Sequence, residues 1–174
     1  MKEFIRRWDS NRTKFLVQAS AIAALYAVLT IIFFSTSYGP IQIRFSEALT
    51  VLPAFTPAAV PGLFVGCLIA NLIKGEIVDV VIGSLTTLLA AYWSYRIKKP
   101  YLVPLPPVLL NGIIIGPMVY WLYGAPSIFQ GNEAPAFLLL MTVLFVTLGQ
   151  AIACYGLGYP LMLTLKKYEW KIFK

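Results

Sequence analysis

Six apolar runs divide the chain: Phe15–Phe34, Ala48–Phe55, Ala58–Ile73, Ile77–Trp93, Tyr101–Tyr123 and Ala134–Leu165. The first, fourth, fifth and sixth are long enough to cross a bilayer alone, since a spanning helix needs about 20 residues. The second and third belong to one almost wholly apolar stretch, Arg44–Asn71, which carries Pro53, Pro57 and Pro61. As a single helix that stretch would be roughly 42 Å long, more than a hydrocarbon core of about 30 Å. As two short helices with a turn at the prolines, it brings Arg44, Glu47 and Asn71 to one membrane face. The pattern predicts an all-α membrane protein, an irregular bundle of six transmembrane helices. Pro104, Pro106 and Pro107 should break the start of the fifth, and Tyr155–Pro160 should bend the last, because proline lacks the amide donor.

Charge orients the bundle. Basic clusters stand before the first run (Lys2, Arg6, Arg7, Arg12, Lys14), between the fourth and fifth (Arg96, Lys98, Lys99), and at the end (Lys166, Lys167, Lys171, Lys174). Together they hold 12 of the 14 Lys and Arg residues, and such an excess marks cytoplasmic loops. The clusters share a side only if Arg44–Asn71 crosses twice or not at all. Six crossings with both termini cytoplasmic follow, in one domain over residues 1–174. A basic segment (1–14) and a basic tail (166–174) then lie on the cytoplasmic side. The first run has no small-residue cleavage site and is expected to stay in the mature chain. The net charge of +7 reads as topology plus contact with anionic lipid, not nucleic-acid binding.

Composition agrees. Hydrophobic residues make up 59% and charged residues 12%, where a soluble domain needs about a quarter charged. There is no histidine, and Cys67 and Cys154 sit inside apolar runs without paired spacing. No metal, cofactor or redox centre is expected, and the absence of a Gly-rich phosphate loop with lysine denies the chain its own ATP hydrolysis. An enzyme using Glu47 and Asp79 as acid and base would lack both histidine and a metal constellation. Without a detectable inverted repeat, a self-contained secondary transporter also lacks its common signature.

The remaining polar residues are candidates for function, because polar groups at membrane depth are expensive. Arg44, Glu47 and Asp79 fall at outer ends of the runs, where snorkelling to water is cheap. Glu47 either contacts ligand or caps its own helix, Arg44 either joins it or pairs with it, and Asp79 competes with a capping role. Glu133, in a polar loop, is a weaker candidate. Asn71, Asn111 and Gln150 lie deeper and either bind ligand or hold helices together. An outward pocket would gather Asn71, Glu47, Arg44 and Asp79 at its rim, with Asn111 and Gln150 towards its floor. Carboxylates and carboxamides suit a small heterocycle with adjacent N–H, amino and carbonyl groups. Tyr120 and Trp121 offer either a stacking face or an interfacial belt. Ala19, Ala23 and Ala27 recur at four-residue spacing, inviting a close helix inside or outside the bundle, whereas Gly62, Gly66, Gly112 and Gly116 suit internal packing.

The words IRFSEALTVLP (Ile43–Pro53), FTPAAVPGLFVGCLIANL (Phe55–Leu72), DVVIGSLTTLLAAY (Asp79–Tyr92), PPVLLNGIIIG (Pro106–Gly116) and LGQAIACYGLGYPL (Leu148–Leu161) resemble the QueT family over nearly the whole chain. These are substrate-binding S components of energy-coupling factor (ECF) transporters. The resemblance implies a six-helix, non-catalytic S component that captures queuine or a related deazaguanine base outside the cell membrane. A separate transmembrane coupling protein and two ATPase subunits would drive uptake. It implies also that Ala19, Ala23 and Ala27 meet the coupling protein, and that an acidic residue is common where Gln150 stands. Another vitamin-like substrate, or a stand-alone transporter, are the alternatives.

Overall fold

The computed structural model describes residues 2–33, 43–75, 77–124 and 134–167, with side chains in the first helix described from Asn11 onward. Every regular element among them is helical, and six helical elements follow the six apolar runs. Helix α1 is Lys2–Ile32. Helix α2, Phe45–Ala54, is a 3₁₀ helix with Pro53 inside it, and α3 is Ala59–Lys74. Helix α4 covers 79–96, its first turn a π segment, Asp79–Gly83. Helix α5 is Pro100–Tyr123 and α6 is Pro135–Lys167. Each of these last two carries a π segment, Asn111–Ile115 and Ile152–Gly158 respectively.

Three stretches are long and apolar enough to cross a membrane: Asn11–Ile32, Pro100–Tyr123 and Pro135–Lys167. The fourth run is not among them. Ten 3₁₀ residues rise only about 20 Å and sixteen α-helical residues about 24 Å, so α2 and α3 are both shorter than the hydrocarbon core. Two elements nevertheless replace one long helix across Arg44–Asn71. The turn between them is held by Thr56, whose Oγ1 accepts from the Ala58 amide at 3.3 Å and donates to Gln18 Oε1 at 3.0 Å.

The bundle is built inside out relative to a soluble domain. Its outer surface carries Leu16, Val17, Ile32, Ile73, Ile77, Ile113 and Leu148, all more than half exposed, an apolar area that only lipid or a partner would tolerate. Polar side chains turn inward: Thr30, Ser46, Thr50, Thr87, Ser94 and Thr142 are buried. Helix α2 lies at the centre, with every residue from Ser46 to Pro53 buried. Leu49 and Leu52 pack on Ile22 and Tyr26 of α1, Leu63 and Cys67 of α3, and Ala91 of α4.

Glycines set the closest approaches. A Cβ at Gly62 would stand 2.7 Å from the Ala19 carbonyl oxygen, and one at Gly66 the same distance from that of Ala23. Helices α1 and α3 therefore touch backbone to backbone, as small residues at four-residue spacing allow. Gly116 does the same for α5 against Val143 of α6, and Gly158 lets the last helix reach the Ala48 carbonyl of α2. The start of α5 is broken as expected: a 3₁₀ turn, Pro100–Leu102, gives way at Val103 and Pro104 to the α-helical Leu105–Leu110. Pro106 and Pro107 occupy the first turn of that helical piece, where a missing amide costs nothing. The expected irregularity of the last helix takes the form of its π segment.

Candidate functional site

Helix α2 carries the deepest ionisable group. Glu47 is fully buried, and Tyr26 Oη donates to its Oε1 at 2.6 Å. Tyr26 stands six residues before the end of α1, roughly 9 Å below it along the axis. One turn further on, Thr30 Oγ1 is hydrogen-bonded to the Tyr26 carbonyl at 2.9 Å and to Ser46 Oγ at 2.7 Å. The Glu47 carbonyl accepts from Thr50 Oγ1 at 2.6 Å and from Cys154 Sγ at 3.6 Å. Helices α1 and α6 thus hold Glu47 from two sides. Neither Tyr26 nor Thr30 was legible as a partner from spacing, although a lone tyrosine mid-way along an apolar helix signals a hydroxyl that needs one.

Among the described residues, three buried polar atoms have no hydrogen-bond partner: Glu47 Oε2, Ser84 Oγ and Asn111 Nδ2. Each such atom costs about 1–3 kcal/mol, and more when charged, which is a large fraction of a typical stability of about 5–15 kcal/mol. They comprise one acceptor, one hydroxyl able to do either, and one amide donor. Ser84 is a candidate that the sequence pattern missed, since a serine after glycine at a helix start reads as a cap.

The other candidates are occupied differently. Asn71 is fully buried, but its Nδ2 donates to the Asp79 carbonyl at 2.9 Å and to Cys67 Sγ at 3.4 Å. Its own carbonyl accepts from Gly75, whose φ of +87° closes α3. Asp79 is ion-paired to Lys74, and Lys74 Nζ also donates to Tyr123 Oη at 2.6 Å while lying 4.6 Å from the centre of that ring. Gln150 is buried, its Oε1 3.9 Å from Cys154 Sγ. Cys67 accepts from Thr87 Oγ1 at 3.3 Å as well as from Asn71, so both thiols serve as weak polar links between helices.

The three charged candidates do not reach outward to water. Arg44, Glu47 and Asp79 are 3%, 0% and 2% exposed, because α2 and the α3–α4 turn are interior and protein donors replace water. No ion pair joins Arg44 to Glu47 among the described residues, although Arg44 lies close enough to act on it electrostatically. Trp121 is 82% exposed and stands edge-on to Tyr120, the placement of a belt residue. Ala23 and Ala27 are buried and Ala19 half-buried, turned to α3, which is the inside-the-bundle alternative for that stripe. The small residues left outward on α1 are Ser20, Ala21 and Ala24. Glu76, Glu133 and residues 168–174 lie outside the described residues.

A groove of about 430 Å³, lined by residues including Phe55, Tyr95, Lys98, Met162 and Lys166, opens at the basic end of the bundle. It involves none of the predicted site residues. No cluster of metal-ligating side chains occurs among the described residues.

An all-helical bundle with an apolar exterior and three stretches long and apolar enough to cross a bilayer has the build of an integral membrane protein. The QueT transporter family model matches residues 16–167. The chain belongs to that family, which is one of transporters and not of enzymes. It is 38% identical over 80 residues to the "Queuosine precursor transporter QueT" of Lactococcus lactis subsp. cremoris (strain MG1363). That match covers 45% of this chain and 47% of the relative, so the chain spans about half the length of the curated relative it matches. No solved structure matches.

Proposed function

We propose that the chain is the substrate-binding component of an ATP-driven importer for a queuosine precursor, queuine or a related deazaguanine base. Family membership and the name of the Lactococcus relative supply the substrate class. The observation that carries the site is the set of unpaired buried atoms, Glu47 Oε2, Asn111 Nδ2 and Ser84 Oγ. A deazaguanine base offers N–H groups for the carboxylate, a ring carbonyl for the amide, and further polar edge for the hydroxyl. Gln150 and Arg44 are buried as well. Asn71 and Asp79, spent on each other and on Lys74, shape the turn above it instead of reading the base.

The chain performs no chemistry on its substrate. It binds the base, and a coupling protein with two ATPase subunits supplies the movement that releases it inside. Because Ala23 and Ala27 are engaged with α3, the contact with the coupling protein falls to the outward Ser20–Ala24 face of α1. Purified protein should bind queuine reversibly and return it unaltered, as read by equilibrium dialysis and mass spectrometry. In cells, Ala24→Trp should abolish uptake with binding retained. Uptake that persists when every coupling ATPase is deleted would favour a stand-alone transporter, and failure to bind any deazaguanine base would sink the substrate assignment.

A further inference from the structure

We propose that Tyr26 is a positioning residue of the binding site. It holds one oxygen of Glu47 so that the carboxylate meets its ligand through the other oxygen alone and reads a single N–H donor. This rests on the assignment of Glu47 as a base-binding residue and makes it more specific.

The observation is an asymmetry. Glu47 Oε1 accepts from Tyr26 at 2.6 Å, while the buried Oε2 has no partner among the described residues. No other side chain among the described residues donates to this carboxylate. An unheld carboxylate is a symmetric acceptor that clamps two adjacent donors, such as the ring N–H and exocyclic amino group of an aminopyrimidinone. With Oε1 engaged, that two-point clamp is replaced by one contact of set direction. The tyrosine cannot easily swing away. Its ring is 1% exposed and packed with Ile22, Leu49, Leu52 and Leu63, and its backbone is tied through Thr30 to Ser46, the neighbour of Glu47. The exocyclic amino group of the ligand must then be met elsewhere or left to water.

The test uses the full chain, purified, with two probes: 7-deazaguanine and 7-deazahypoxanthine, which lacks the amino group. The wild type should bind the two within about tenfold, as expected when the amino group makes at most one ordinary hydrogen bond. Tyr26→Phe should weaken 7-deazahypoxanthine by about tenfold or more, because the carboxylate is no longer held. It should weaken 7-deazaguanine less, since the freed oxygen now meets the amino group, so the ratio widens. Thr142→Val, which removes a buried hydroxyl bonded only within its own helix, should leave the ratio unchanged. Equal losses for both probes in Tyr26→Phe, or no loss, would overturn the positioning role. If Tyr26→Phe fails to fold, the wild type decides: a preference beyond about a hundredfold for 7-deazaguanine means that both oxygens are in use. A wild type that binds neither probe overturns the substrate assignment, and this inference with it.

Discussion

Two polar regions of this bundle each bury a carboxylate and a carboxamide and differ in how their hydrogen bonds are met. At the α3–α4 turn, Asn71, Lys74, Asp79 and Tyr123 answer one another: amide to carbonyl, ammonium to carboxylate, ammonium to phenol. Around α2, Tyr26 answers one oxygen of Glu47 and leaves the other, with Asn111 and Ser84 elsewhere in the interior also unanswered. A closed network stabilises a fold, whereas an open one costs stability until something enters it. Burial alone therefore does not mark a binding residue in a membrane protein. Unmet hydrogen-bonding capacity is what sets the proposed site apart.

The comparison can be broken from either side. The largest effect should come from Lys74→Met, which strands Asp79 in the interior and should lower stability by about 3 kcal/mol, read from unfolding in detergent. The double variant Lys74→Met with Asp79→Leu should recover most of that loss, because no charge is then left unpaired. Next, Asn111→Leu should weaken queuine binding by about tenfold to a hundredfold with stability unchanged or slightly raised, since an orphaned donor is removed. A fall in stability instead would mean that Asn111 belongs to the closed kind of region. Asn71→Leu should behave in the opposite way, losing about 1–3 kcal/mol of stability by orphaning the Asp79 carbonyl while keeping binding within a few fold. The smallest effect is expected for Ser84→Ala, a change in stability of less than about 1 kcal/mol with a binding loss that isothermal titration should still resolve.

The elements were largely legible from the sequence, because apolar runs and prolines report directly on which segments bury backbone in lipid. The break of Arg44–Asn71 into two pieces followed from its length, its prolines and the side on which the basic clusters fall. That α2 is a 3₁₀ helix at the centre did not, since centrality depends on α1, α3, α4 and α6 closing around it. Depth was misjudged for the same reason. Position along a run says how far Glu47 is from an end, but not that Tyr26, 21 residues earlier, substitutes for water. The Ala19–Ala23–Ala27 stripe announced a close helix without saying which one, and Gly62 and Gly66 turned out to face it. Asn111 and Gln150 were expected to lie deep and are buried, whereas Glu47 was expected at an outer rim and is buried too. Ser84 and Tyr26 were hidden, one as a helix start and the other among apolar neighbours.

The most direct test of the difference between the two regions compares Glu47→Gln with Asp79→Asn in equilibrium binding of queuine and in thermal unfolding. Glu47→Gln should weaken binding by about a hundredfold while melting close to the wild type. Asp79→Asn should melt lower and bind within a few fold. Equal binding losses in the two variants, or a Glu47→Gln protein that binds as well as the wild type, would contradict the assignment of the open region as the site.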